Sequence, residues 1–275
     1  MKAAAFDYVR PDGVAQAVAL LAKSDGGAKV CGGSQSLGPM LNLRLVQVDS
    51  LIDLGRLDEL RRIELLDNVL RIGAAVTHAR IEDGELPDVT RGLLPAVAAN
   101  IAYRAVRNRG TIGGSLAHAD PAADWVSTMC LLDAAIVLVG PKGERRVRAS
   151  VFFIGPFTTT LEMDEVIAAV EVPRFSPQAR WAYRKVCRKP GEFADAIGAV
   201  WIDPGQGVAR ALMGSLDSMP FVVEGADALA ALRQPCSLAQ MLDDAGVTEP
   251  YEREVHAAML RRALADIERP FDTSG

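Results

Sequence analysis

Two glycine pairs constrain this chain more than any other feature. The apolar run Lys29-Val30-Cys31 leads into Gly32-Gly33-Ser34-Gln35-Ser36, and a second pair follows far downstream in Thr111-Ile112-Gly113-Gly114-Ser115. Glycine lets the backbone turn sharply and brings consecutive N–H groups close to a neighbouring group without side-chain bulk, which is the condition for wrapping a phosphate. Two such turns together can enclose a pyrophosphate without a lysine. Neither stretch fits G-x-G-x-x-G or G-x-x-x-x-G-K-[ST], so the common dinucleotide and P-loop signatures are excluded. Each pair taken alone also reads as an ordinary tight turn.

The patterning around the pairs is that of an α+β chain. Val14, Ala17, Val18, Leu20 and Leu21 recur at helical spacing, and Ser50-Leu51-Ile52-Asp53-Leu54 suits a buried strand. Strands are expected at residues 69–74, 135–139, 181–186 and 196–202, with helices near residues 93–101 and 124–132. A turn is expected at Gly140-Pro141-Lys142-Gly143, a connection between Pro173 and Pro177, and a largely helical stretch over the last 45 residues. We therefore divide the chain into α/β units at 1–55 and 56–175, followed by a C-terminal unit at 176–275.

Charge and cysteine content exclude several functions. The net charge of −5 lacks the positive field that nucleic-acid binding requires. Asp7 interrupts the N-terminal apolar stretch, and no later run reaches the roughly 20 apolar residues of a membrane span, so a cytoplasmic location is expected. Cys31, Cys130, Cys187 and Cys236 show no metal-ligand spacing, so no metal site is expected on this chain.

Read with their neighbours, the glycine pairs lie in Val30-Cys31-Gly32-Gly33-Ser34-Gln35-Ser36-Leu37-Gly38-Pro39-Met40 and Arg107-Asn108-Arg109-Gly110-Thr111-Ile112-Gly113-Gly114-Ser115-Leu116-Ala117-His118-Ala119-Asp120-Pro121. In order and at this separation, these strings resemble the two flavin motifs of the FAD-binding medium subunits of molybdenum hydroxylases, the xanthine dehydrogenase family. The resemblance extends over essentially the whole chain. It implies an FAD-binding domain of the vanillyl-alcohol-oxidase type in two α/β subdomains, with a smaller C-terminal α/β domain. It also implies an electron-transfer subunit that takes electrons from [2Fe-2S] clusters on a small partner. A large molybdopterin partner performs the substrate chemistry, and the resemblance implies a dimer of heterotrimers. A stand-alone FAD oxidase and a non-catalytic assembly module of the same fold are the competing readings.

Carried over by position, the cofactor-binding residues are Gly32, Gly33, Ser34, Gln35, Ser36, Thr111, Ile112, Gly113, Gly114 and Ser115, joined by Asp124, Lys185 and Phe193. No catalytic acid or base is expected, because the flavin performs the redox chemistry. The family commonly has glycine at the position of Ser34, which costs serine about 1 kcal/mol if the site needs φ > 0. Ser115 stands in place of a common Asn or Asp, and Phe193 in place of a tyrosine against the isoalloxazine ring. Asp124 reads either as an acceptor for flavin-chain hydroxyls or as the N-cap of a helix starting at Trp125. Lys185 reads as a cation at the flavin pyrimidine edge or as a solvated strand lysine, and Phe193 as a stacking partner or as core. His118 reads as a structural turn residue, and neither His78 nor Asp120 is assigned a role.

Overall fold

The computed structural model describes residues 2–268. The N-terminal unit is a parallel sheet in which Ser50–Asp53 lies between Asp7–Val9 and Ala28–Cys31. Parallel strands need crossover connections: the helix Val14–Lys23 joins the two outer strands, and the helix Leu37–Asn42 lies between Ala28–Cys31 and its neighbour Ser50–Asp53. That helix buries Val14, Ala17, Val18 and Leu21, the i, i+3, i+4, i+7 face expected from the sequence.

The second sheet has five antiparallel strands, with Val166–Pro173 at its centre between Val69–Gly73 and Ala135–Gly140. Val166–Pro173 is buried on both faces because Val166 meets the core around the N-terminal helix, while Ile167, Val170 and Val172 enter the larger core behind it. Sequence patterning did not identify this strand, since a strand covered on both sides lacks the polar–apolar alternation that marks a half-exposed one. Pro141 and Lys142 form the two-residue connection of the Ala135–Gly140/Gly143–Arg148 hairpin, with Gly143 at φ 100°.

The C-terminal region is a four-stranded antiparallel meander of Arg180–Val186, Ala196–Asp203, Val208–Gly214 and Phe221–Glu224. Its faces follow the two-residue period. Ile197, Ala199 and Trp201 pack toward the central core, whereas Val200 and Ala211 pack under the helix Pro250–Glu268. Gly198 permits that helix to lie directly on the strand, because a Cβ there would stand 2.5 Å from the Leu260 nitrogen. The expected C-terminal helices are Pro235–Asp244 and Pro250–Glu268, and the final residues of that expectation lie outside the described ones.

The helix Asp124–Leu132 is wedged between the five-stranded sheet and the meander, and every one of its nine residues is buried. A helix buried on every side fits such a sandwich, and its Asp124 and Thr128 are hydrogen-bonded within it. Its N-terminus opens toward the cleft described next.

Candidate functional site

The strand Ala28–Cys31 ends in the first glycine motif, at the carboxyl edge of the parallel sheet, where open α/β sheets place their ligands. Ser34 has φ 56°, so the serine does occupy the left-handed conformation that favours glycine. The N–H groups of Gly33, Ser34, Gln35 and Ser36 meet no acceptor within the protein among the described residues, although Gly33 is buried. Only Gly33 of the four is buried, and a buried donor is normally paired, so the row that opens from it offers consecutive N–H groups to an acceptor from outside the protein. Gln35 folds back, its Nε2 donating to the Gly33 carbonyl at 3.0 Å.

The second motif corrects the expectation of a glycine turn. Thr111 is the N-cap of the helix Ile112–His118, and its hydroxyl accepts from the Gly114 N–H at 3.2 Å. Ile112 and Gly113 donate to the carbonyls of Val76 and Ala74, at 3.0 and 2.9 Å. Those donors are therefore occupied, and glycine is needed here for close packing. A Cβ on Gly113 would lie 2.5 Å from the Ala74 Cβ, and one on Gly33 would lie 1.9 Å from the Arg109 carbonyl oxygen. A Cβ on Gly32 would lie 2.5 Å from the Thr111 hydroxyl oxygen, so the two motifs are packed backbone against backbone. Ile112 departs from the expected set: its side chain is fully buried in the core and does not line the cleft.

The cleft between the motifs has a volume of about 820 Å³, within the range of roughly 300–1,000 Å³ usual for cofactor sites. Gly32, Gly33, Ser34, Gln35 and Ser36 line it together with Thr111, Gly113, Gly114 and Ser115. Leu21, Ala28, Val30, Leu161 and Ile167 add apolar wall. Elsewhere Asp124, Lys185 and Phe193 contribute, so twelve of the thirteen expected residues converge on one cavity.

Asp124 and Lys185 form a buried pair. Lys185 Nζ donates to Asp124 Oδ2 at 2.8 Å and to the Asn100 carbonyl at 3.3 Å, while the Tyr183 hydroxyl donates to Asp124 Oδ1 at 2.9 Å. The side chains of Lys185 and Asp124 are only 8% and 5% exposed, which overturns the solvated-lysine alternative. The N-cap alternative for Asp124 also fails, because the helix begins at Asp124 itself and Ala123 occupies the cap. Burial raises the Asp124 carboxyl above its ordinary range, opposed by Lys185 and Tyr183. Burial next to Asp124 also raises Tyr183 well above the phenol value, so it remains a donor. Phe193 is 59% exposed at the cleft, which excludes core packing.

Residues with no assigned role also meet here. His78 lines the cleft from a buried position and accepts from Trp125 Nε1 at 3.0 Å through Nδ1. Burial, helped by Arg107, lowers its pKa to about 4, so it is neutral at pH 7 with its proton on Nε2. His118 ends the helix Ile112–His118 rather than lying in a turn, its ring 5.2 Å from that of Phe157. Asp120 also lines the cleft, and its Oδ1 accepts from the Ala122 N–H at 2.9 Å. Sequence reasoning passed over Ile101, Ala102 and Phe157, all of which line the cleft. No residue pattern announces the positive φ of Ala102 and Phe157, 45° and 55°, that aims their backbones.

The family model for the FAD binding domain in molybdopterin dehydrogenase matches residues 4–175. The chain belongs to this family. It is thus an FAD-binding oxidoreductase subunit of the molybdenum hydroxylase type. The carbon monoxide dehydrogenase medium chain of Hydrogenophaga pseudoflava is 40% identical over 195 residues, covering 71% of this chain and 68% of that one. The caffeine dehydrogenase subunit beta of Pseudomonas sp. (strain CBB1) is 29% identical over 281 residues, covering 96% and 95%. Among solved structures, the carbon monoxide dehydrogenase from Hydrogenophaga pseudoflava that lacks the Mo-pyranopterin moiety superposes with a TM-score of 0.84 at 34% identity, covering 97% of this chain and 98% of that chain. These matches support the α+β fold class expected from the sequence. No helix among the described residues is long and apolar enough to cross a membrane.

Proposed function

We propose that this chain holds FAD in the cleft between its two glycine motifs, takes electrons from [2Fe-2S] clusters on a small partner and passes them to an external acceptor. The observation that carries this reading is the row of N–H groups from Gly33 to Ser36, left without protein acceptors where the two motifs are packed together. Such a row suits a pyrophosphate. In this reading Gly32, Gly33, Ser34, Gln35 and Ser36 face it from the first motif, and Thr111, Gly113, Gly114 and Ser115 from the second. Lys185, held by Asp124, presents its cation to the flavin, and Phe193 covers the ring.

Bound FAD supplies the redox chemistry, and this chain supplies position, charge and access. A cation beside the flavin favours the anionic reduced form. No side chain of the chain serves as an obligatory acid or base. The division at 1–55, 56–175 and 176–275 belongs to the same proposal, as do the cytoplasmic location and the assembly with a small [2Fe-2S] and a large molybdopterin subunit. Isolated from partners, the chain retains FAD and does not reduce it when heterocycles or aldehydes are added; reduction appears once the partner subunits are restored. Bleaching of the flavin by such a substrate in the partner-free chain would replace this reading with a stand-alone oxidase.

A further inference from the structure

One wall of the cleft is built against its backbone's preference. Ala102 lines the cavity at φ 45°, a conformation that costs a residue with a Cβ about 1 kcal/mol or more. Its carbonyl also lies so near the neighbouring loop that a Cβ on Gly191 would stand 2.7 Å from that oxygen. Such a segment persists only if the surroundings hold it.

Arg107 holds it. Its Nη1 donates to the carbonyls of Ile101 and Ala102, at 2.9 and 2.8 Å. Its Nε and Nη2 form a two-point fork on Glu82, at 2.7 and 2.8 Å, and the two side chains are 12% and 19% exposed. The fork fixes the guanidinium plane in a way a lysine cannot reproduce. Arg104 also donates to Glu82, at 2.8 Å, on the same Oε2 that accepts from Arg107 Nε.

The clamped segment joins the groups on which the proposed flavin contacts depend. Asn100, directly before it, accepts from Lys185, and Ala102 abuts Gly191, two residues before Phe193. We infer that Arg107, anchored by Glu82, is a positioning residue for the flavin: it fixes the 100–102 wall and through it the placement of the Lys185 ammonium and the Phe193 loop. This inference rests on the proposed FAD site. It assigns Arg107 no contact with the cofactor.

The test uses the full chain with FAD and three variants: Arg107→Met, Arg107→Lys and Gly191→Ala. The last displaces Ala102 from the opposite side without touching the guanidinium. FAD affinity by titration, visible circular dichroism of the bound flavin, midpoint potential and the melting temperature of the apoprotein are measured for each. The expected result is FAD affinity weakened roughly tenfold or more in Arg107→Met, as for loss of one or two charge-assisted hydrogen bonds. Arg107→Lys falls between it and the parent, and Gly191→Ala changes the flavin dichroism in the same sense. The midpoint potential falls in all three as the ammonium loses its place. If Arg107→Met does not fold, Arg107→Lys and Gly191→Ala decide the matter. Parental affinity, dichroism and potential in the variants that fold, with only a lower melting temperature, would overturn the inference. Failure of the parent chain itself to bind FAD would instead refute the site on which it rests.

Discussion

Ser34 adopts φ 56° in the first glycine motif, a conformation that favours glycine. Ser34→Gly is therefore expected to raise stability by up to about 1 kcal/mol with little change in FAD affinity, as checked by denaturant melts and flavin titration. The neighbouring glycines are not interchangeable. A Cβ on Gly33 overlaps the Arg109 backbone, so Gly33→Ala should cost more than about 2 kcal/mol and separate the two motifs. Gly114 is exposed to the cleft and a Cβ there meets chiefly the Thr111 hydroxyl, so Gly114→Val should fold and yet lose FAD. His78 supplies a pH test. Its folded pKa of about 4 lies below the ordinary 6.5, so the unfolded chain takes up the proton first as pH falls. Its contribution is complete above about pH 6.5 and decreases toward pH 4, by roughly 3 kcal/mol in all. Measured between those limits, the stability of His78→Gln should fall less steeply with decreasing pH than that of the parent. Equal slopes would show that His78 is not the group responsible.

Between elements, the strand Arg180–Val186 and the helix Asp124–Leu132 are joined by the buried ion pair of Lys185 with Asp124 and by the Tyr183 hydroxyl, which donates to the same carboxylate. Removing one partner of such a pair leaves an uncompensated charge, so Lys185→Met is expected to destabilise by about 3–5 kcal/mol. Asp124→Asn combined with Lys185→Met should recover part of that loss, and chemical denaturation of the four proteins reads the coupling. Additive losses would mean that the pair is not an energetic unit. Both elements were legible in the sequence, as a helix at 124–132 and a strand at 181–186. Their pairing was not, since Asp124 and Lys185 are 61 residues apart and local patterning carries no information about which acid meets which base. The same limit explains the second glycine motif. Glycines normally mark turns, but Gly113 is required because its helix lies against Ala74, a contact that arises only when the chain has folded. Val166–Pro173 and Val208–Gly214 were missed because burial on both faces removes alternation.

Across the whole molecule, the fold brings two stretches far apart in sequence into backbone contact and leaves a cleft along their junction. That the two glycine motifs belong to one site was an expectation from their order and residue types, and the fold places them along one cleft; the clamp on Ala102 and the occupied donors of the second motif were not legible, because both depend on tertiary packing. Among the described residues, no group of three or more His, Cys, Asp or Glu side chains is placed to hold a metal ion. The account stands most directly on FAD occupying the cleft between the motifs. Titration of the partner-free chain with FAD, alongside Gly114→Val, measures this through flavin fluorescence and the cofactor released on denaturation. The predicted result is saturation near one FAD per chain in the parent and loss of binding in a Gly114→Val protein that melts like the parent. Absence of FAD binding in the parent, or full retention in Gly114→Val, would contradict it.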